Sequence, residues 1–243
     1  WYVWLPDQIL SEDYFPRMNP DNIGNEISKD SSLHLGVSIR SFRSEIVSTS
    51  VSALLNGDLA DAKEQLSTVN QTYPIRISRS LPAAKSWIRQ SARGSERYGI
   101  LTSSGARRLK PLGILAGAVT GAECNWFLND ADDVRSSFYM EDAATEFEVQ
   151  GLELDWSIVV WDGDFIYADG DWIYRAFKGS KWQMIHKSQD QRYRLNAYRV
   201  LLTRARQGLV IVVPQGTTKD HTRLPEFYDP TWEYFQKIEL EEV

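Results

Sequence analysis

Short apolar segments alternate with amphipathic ones from residue 33 onward, and this alternation predicts an α/β protein: a mainly parallel sheet covered by helices. Two observations carry the prediction. Ile158–Trp161 and Leu209–Val213 are apolar at every position, as parallel strands buried on both faces must be. The segments between such runs place apolar residues at helical spacing and carry residues that cap helices at their ends.

The elements follow in order. Leu33–Ile39 alternates enough to form a strand. Ile46, Val47, Val51, Leu54 and Leu55 recur at helical spacing, and Asn56-Gly57 closes that helix. Asp58 caps a second helix through Leu66, and Tyr73–Ile77 forms a strand. Ser80 followed by Pro82 starts a helix with Ala84, Trp87, Ile88 and Ala92 on its buried face, ended by Gly94. Tyr98–Thr102 is a strand and Ser103–Leu112 a helix, whereas residues 116–141 are weakly patterned. Ser157–Trp161 is a buried strand, and Phe165–Ile185, with Gly170 and Gly179, is a hairpin or an irregular insertion. Asp190 opens a helix with Tyr193, Ala197, Val200 and Leu201 on one face, and Gly208 ends it ahead of the strand Leu209–Val213. Asp229-Pro230 starts a last helix with Trp232, Phe235 and Ile238 inward.

Residues 1–33 hold Pro6, Pro16 and Pro20 and read as an irregular wrapping segment, belonging to a preceding lobe or a linker. Residues 34–243 then form the domain, with an aromatic-rich insertion near 163–189. Trp1, Trp4 and Leu5 read as core material, and with Trp1 in first place the chain is expected to be a piece of a longer protein. A hydrophobic share of 42% with 25% charged residues excludes a disordered or collagen-like chain. The longest apolar runs span a handful of residues, against roughly 20 for a spanning helix, so no membrane association is expected. Cys124 is the only cysteine, which excludes an intrachain disulfide and a cysteine zinc cluster. His34, His186 and His221 lie far apart, so side-chain metal ligation is not expected, while magnesium carried by a nucleotide stays open. The lone cysteine and the lack of a signal peptide point to the cytoplasm. A net charge of −6 argues against a broad basic face. A local stripe from Arg89, Arg93, Arg97, Arg107, Arg108 and Lys110 could still contact phosphates or be a solvated surface.

Ligands of open parallel sheets gather at the carboxyl ends of strands, so strand–helix junctions are where chemistry is expected. Three segments stand out. Ser38-Ile39-Arg40-Ser41-Phe42-Arg43-Ser44 puts two arginines at a helix start, a place for a phosphate or an exposed helix end. Glu148-Val149-Gln150-Gly151-Leu152-Glu153-Leu154-Asp155-Trp156 holds a glycine that permits close approach and a carboxylate that could accept from a ribose, or a turn with a solvated acid. Asn196 to Arg206 holds Arg199, Arg204 and Arg206, of which Arg204 also complements the helix dipole. Trp126, Trp156, Trp161, Trp172 and Trp182 either stack on bases or fill a core.

Together, in this order and spacing, the three segments resemble motifs IV, V and VI of the second RecA-like lobe of superfamily 1 helicases. Motif VI is Thr203-Arg204-Ala205, motif V is Gly151-Leu152-Glu153, and motif IV is offered twice, as Ile39-Arg40-Ser41 and Phe42-Arg43-Ser44. The longer runs from Glu146 to Trp156 and from Asn196 to Gly208 resemble the schlafen-type DNA/RNA helicase-like family across about Leu33 to Val213.

The resemblance implies a RecA-like three-layer sandwich with an irregular N-terminal extension, acting as the C-terminal motor lobe of a DNA/RNA helicase or nucleic-acid-stimulated ATPase. The family's Walker A and B elements would lie on an N-terminal RecA-like lobe, since no G-x-x-x-x-G-K-[ST] occurs here. Arg204 and one of Arg40 or Arg43 would neutralise the γ-phosphate of ATP held with Mg2+. Glu153 would touch the ribose, Gly151 and Thr203 would shape the nucleotide site, and Gln150 would link it to the nucleic-acid groove. Single-stranded nucleic acid is the expected partner, with Arg107 and Arg108 as phosphate contacts. The chain alone is expected to be inactive. The alternatives are a helicase-like interaction module without catalysis and a nucleotide-binding switch.

Overall fold

The computed structural model describes residues 3–5, 27–33, 42–70 and 72–243. The chain divides into two compact units, Trp1–Glu45 and Ile46–Val243. In the first, β1 (Val3–Leu5) and β2 (Ile27–Lys29) pair in parallel, with Val3 opposite Ile27. Trp4 is 59% exposed, which corrects its reading as core material: a two-stranded pair has no second layer of its own. Trp1 and most of Leu33–Ile39 lie outside the described residues, and Ser31–Leu33 is a 3-10 turn.

α1 (Phe42–Asn56) leads into the second unit and stops where Gly57 takes a φ of +77°. Asp58 caps α2 (Leu59–Val69) by accepting from the backbone N–H groups of Ala60 and Asp61. β3 (Ile75–Ser78) follows, then α3 (Leu81–Ser91), capped by the Ser80 hydroxyl on the Ala83 N–H. β4 (Tyr98–Thr102) runs into a long connection with one short helix, α4 (Glu123–Leu128), and then β5 (Ala143–Ala144). β6 (Leu154–Val160) precedes three antiparallel strands: β7 (Phe165–Ala168), β8 (Asp171–Lys178) and β9 (Lys181–Met184). α5 (Ser188–Leu202), β10 (Ala205–Val212), α6 (Asp229–Lys237) and β11 (Glu241–Glu242) complete the unit.

The six parallel strands lie in the order β11-β3-β10-β6-β4-β5. Side chains alternate across the sheet, so β10 sends Leu209 and Ile211 to one face and Val210 and Val212 to the other. The first face packs against Val51 and Leu54 of α1, Leu66 of α2, Leu201 of α5 and Phe235 of α6. The second packs against Ala84 and Ile88 of α3 and against Leu109, Ile114 and Met140 from the connection after β4. This is an α/β RecA-like sandwich of three layers. Each buried aliphatic side chain contributes about 1.5–3 kcal/mol, whereas a helix cap contributes about 1 kcal/mol. The double-sided rows of β6 and β10 therefore contribute more than the helix caps.

Two expected boundaries are corrected. Ser103–Leu112 is not a helix; it is a turn followed by a 3-10 segment at Lys110–Leu112. Its backbone donors are taken by side chains: Ser104 N–H by Glu146 (2.8 Å), Gly105 N–H by Ser103 (3.1 Å) and Arg108 N–H by Asp162 (2.8 Å). These bonds compete with the helical ladder. Gly208 does not end α5 but lies inside β10, where an added Cβ would sit 2.7 Å from the Pro74 carbonyl oxygen and 2.8 Å from the Trp156 ring. The glycine permits this close backbone approach. The helix ends earlier, where the Thr203 hydroxyl donates back to Arg199 O (2.8 Å).

The segment 165–185 is a regular three-stranded sheet. Asp169 and Gly170 both have positive φ (55° and 85°) in the two-residue turn between β7 and β8, the pattern that an Asp-Gly hairpin favours. Phe165 and Trp172 from this sheet stack at 4.2 Å, and both pack on Trp161. Trp161, Trp172 and Trp126 are therefore core side chains.

Past the carboxyl end of β6 lies a buried acidic pair. Asp164 accepts from the Ser103 hydroxyl (2.7 Å), Arg194 Nη1 (2.6 Å) and the Tyr198 hydroxyl (2.6 Å). Asp162 accepts from the Arg108 N–H and from the Tyr228 hydroxyl (3.0 Å). Burial, reinforced by the charge of Asp164, pushes the Asp162 carboxyl up to about 7. An acid whose pKa is raised on folding binds its proton more tightly in the native chain. Its contribution to stability therefore falls as pH rises from about 4 to about 7. Denaturant midpoints measured across this range should decline for the native chain, and the decline should shrink in Asp162→Asn. An equally steep decline in the variant would assign the titration to another group.

Candidate nucleotide-facing edge of the sheet

Motif V begins at the carboxyl end of β5. Thr145 N–H donates to Glu148 (2.6 Å), and the Thr145 and Thr120 hydroxyls donate to the same carboxylate. Burial works against the ionised form of Glu148, but these hydrogen bonds outweigh it and hold its pKa below the usual value. The resulting turn places Gly151 at φ +85°, with nothing within 4 Å of where a Cβ would stand. The chain then enters β6 at its amino end. Gln150 and Gly151 are exposed there, and Glu153 is half-buried.

Motif VI reaches the same edge from the other side. α5 ends at Leu202, Thr203 turns the chain, and Arg204 Nε donates to Val200 O (3.2 Å) before β10 begins. The two motifs meet directly, because Leu154 N–H donates to Arg204 O (2.9 Å). That bond seats Glu153 beside Arg204 at the amino ends of β6 and β10. Glu153 and Arg204 therefore lie at the amino edge of the sheet, not at the carboxyl ends of strands where these segments were expected.

Asp155 fixes the edge. It accepts from the Arg97 N–H (2.7 Å) and from Arg206 Nη2 (2.7 Å), joining the amino ends of β4 and β10 to β6. Trp156 Nε1 adds a bond to Glu96 (2.9 Å). Asp155 and Arg206 both lie inside the segments singled out from the sequence, but neither was given a role there. The signal was present in Asp155, the acid that immediately follows Gly151-Leu152-Glu153-Leu154.

The remaining candidates lie elsewhere. Arg40 is outside the described residues, and Arg43 belongs to the first turn of α1, with its side chain outside the description. Arg107 and Arg108 are at the opposite edge, after β4. Arg107 is exposed there, whereas Arg108 donates to Thr222 (2.7 Å) and Asp220 (2.9 Å). Arg97 is also spoken for, donating to the Asn129 carbonyl (3.0 Å) and lying over the Phe138 ring. The basic residues of 89–110 thus fall at two ends of β4 and do not form one stripe. Among the described residues, no group of three or more His, Cys, Asp or Glu side chains is placed to hold a metal ion. Among them, too, no helix is long and apolar enough to cross a membrane.

The sandwich and the paired motifs define a RecA-like, helicase-type domain. The chain belongs to the Schlafen group 3 DNA/RNA helicase domain family, whose model matches residues 8–215. It is therefore a helicase-like domain with a nucleic-acid-related function. Comparison with curated proteins finds no match.

The positive φ of Gly151 generates a prediction. Gly151→Ala should cost about 1–2 kcal/mol through backbone conformation alone, and Gly151→Asn less, because asparagine tolerates the left-handed region. Chemical denaturation of the three chains should rank them Gly, Asn, Ala. Equal stability of Gly and Ala would mean that the turn is not left-handed.

Proposed function

We propose that the chain is the second motor lobe of a two-lobed, superfamily 1-type DNA/RNA helicase or nucleic-acid-stimulated ATPase. The observation that supports this best is the Leu154–Arg204 backbone bond, which brings Glu153 of motif V and Arg204 of motif VI to one edge. In this reading Arg204, with Arg43 or Arg40, faces the γ-phosphate of ATP across a cleft. The Walker A and B half of that cleft belongs to an N-terminal lobe. The residues present fit such a ligand. Gly151 leaves open space for a ribose to approach, Glu153 can accept from its hydroxyls, and a guanidinium neutralises phosphate charge. Thr203 helps by holding the turn that aims Arg204, and Gln150 is exposed next to Gly151, where it can report nucleotide state to the nucleic acid. Magnesium would come with the nucleotide and take its protein ligands from the other lobe. At the opposite edge, Arg107 is the exposed candidate for phosphate contact.

The test is ATP hydrolysis by the two-lobed protein, with and without single-stranded DNA or RNA. Arg204→Ala should lower the stimulated rate by about 10³–10⁵ where such an arginine is essential, while circular dichroism stays unchanged. A rate that survives the substitution sinks the assignment. A native protein that never hydrolyses ATP would instead point to a helicase-like interaction module.

A further inference from the structure

The antiparallel sheet carries a cavity of about 320 Å³ between β8, β9 and the 221–227 segment. Ligand pockets span roughly 300–1,000 Å³, so it has room for one small planar ligand with a charged group. Its walls combine two aromatic rings, Trp182 and Phe227, with three basic side chains, Arg175, Lys181 and His221.

The ring is held in place before any ligand arrives. Trp182 Nε1 donates to the Thr222 carbonyl (2.9 Å), and Phe177 packs edge-on at 5.2 Å. Gly163 leaves the space the indole needs, since a Cβ there would lie 3.0 Å from the ring. Thr222 is itself anchored, its N–H and hydroxyl donating to Asp220 at 2.9 and 2.6 Å. An aromatic platform whose orientation is already fixed loses little freedom on binding.

The cations are available. Arg175 lies over the Phe227 ring at 5.1 Å, and among the described residues its guanidinium has no hydrogen bond and no ion pair within 4 Å. Burial pushes its pKa down, and Glu226 acts on it only through space. Lys181 is exposed and likewise unpaired among the described residues. His221 is exposed, with Nε2 3.3 Å from the Ser180 carbonyl. A half-buried guanidinium without a protein acceptor can take a bound anion, and a fixed indole beside it favours a flat π-system.

We infer that this cavity binds a nucleotide unit, with the base on Trp182 and Phe227 and the phosphate on Arg175 and Lys181. The unit could belong to a single strand or be a free mononucleotide. Only the first source leans on the nucleic-acid function of the family, and neither depends on the motor reading. The cavity adjoins Gly163, beyond the carboxyl end of β6, whereas Glu153 and Arg204 stand at its amino end.

The experiment uses the 243-residue chain without ATP, so hydrolysis cannot enter the result. Anisotropy of labelled ten-residue oligo-dT and oligo-rU is followed against salt, and quenching of intrinsic tryptophan fluorescence reports on thymidine and uridine monophosphate. Arg175→Gln with Lys181→Gln should weaken oligonucleotide binding at least about tenfold and lower the salt slope by about 0.7 per lost phosphate contact. Trp182→Leu should weaken binding by about tenfold with the salt slope kept, and should remove the quench. Thermal midpoints verify folding, and the charge variant, which replaces one half-buried and one exposed side chain by glutamine and breaks no hydrogen bond, stands as the test if Trp182→Leu is unstable. Mononucleotides bound as tightly as oligonucleotides, with the same response to both variants, would identify a free nucleotide as the occupant. Affinity untouched by the charge variant, or inorganic phosphate bound as well as the nucleotides, would overturn the inference.

Discussion

β6 lies near the middle of the sheet, between β10 and β4, and carries a carboxylate anchor at each end. Its interior, from Ser157 to Val160, is buried on both faces and has no polar contact with solvent to fix its position along its neighbours. A sliding strand would keep burying apolar surface, so burial alone specifies register weakly here. Asp155 removes that freedom at the amino end by binding both neighbouring strands. Asp162 and Asp164 remove it at the carboxyl end by holding the loop after β4 and the hydroxyls of α5 and of Tyr228. The hydrogen bond within the buried Asp164–Arg194 ion pair contributes about 1.5–3 kcal/mol. The larger effect of all these bonds is directional, because each requires one geometry.

The two anchors also determine where chemistry can sit. At the amino end, Asp155 holds the strands whose first residues follow Glu153 and Arg204, so it fixes where those two residues stand. At the carboxyl end, Arg108 shares its partners Thr222 and Asp220 with the frame that holds Trp182. Replacing Arg108 would therefore disturb the cavity indirectly, as well as any phosphate contact of its own. That distinguishes it from exposed Arg107, although the sequence presents the two as equivalent neighbours.

Much of the fold could be read from local sequence. Asp58 and Ser80 cap helices because their short oxygens reach backbone donors two or three residues away, and such information is contained in a few positions. The strands at Tyr98, Ser157 and Leu209 were legible because burial on two faces leaves consecutive apolar residues, Ile100-Leu101, Ile158–Trp161 and Leu209–Val213. The loop at 103–112 was not legible, because its donors are satisfied by Glu146 and Asp162, more than forty residues downstream. Gly208 misled for a similar reason, since its justification is the Pro74 carbonyl just ahead of the neighbouring strand β3. Of the candidate site, the identities of Gly151, Glu153, Thr203 and Arg204 were legible as motif residues. Their edge of the sheet was not, because it depends on whether a motif precedes or follows its strand.

That difference has a physical consequence. A parallel strand presents unlike ends, one offering free N–H groups and the other free carbonyls, and a residue before a strand meets different neighbours from one after it. Motifs V and VI precede β6 and β10, while the acidic pair and the aromatic cavity follow β6. Seven residues at about 3.3 Å each separate the two edges by roughly 20 Å, beyond the reach of any single side chain. A nucleotide at Arg204 and a nucleotide at Trp182 could not share a ligand group. Any coupling between them would have to pass through the rigid pair β6 and β10, whose carboxylate anchors resist sliding at both ends. If both proposed sites bind as argued, the arrangement favours two separately occupied sites on a stiff frame over one extended groove, with Asp155 and Asp162 at the two ends of that frame.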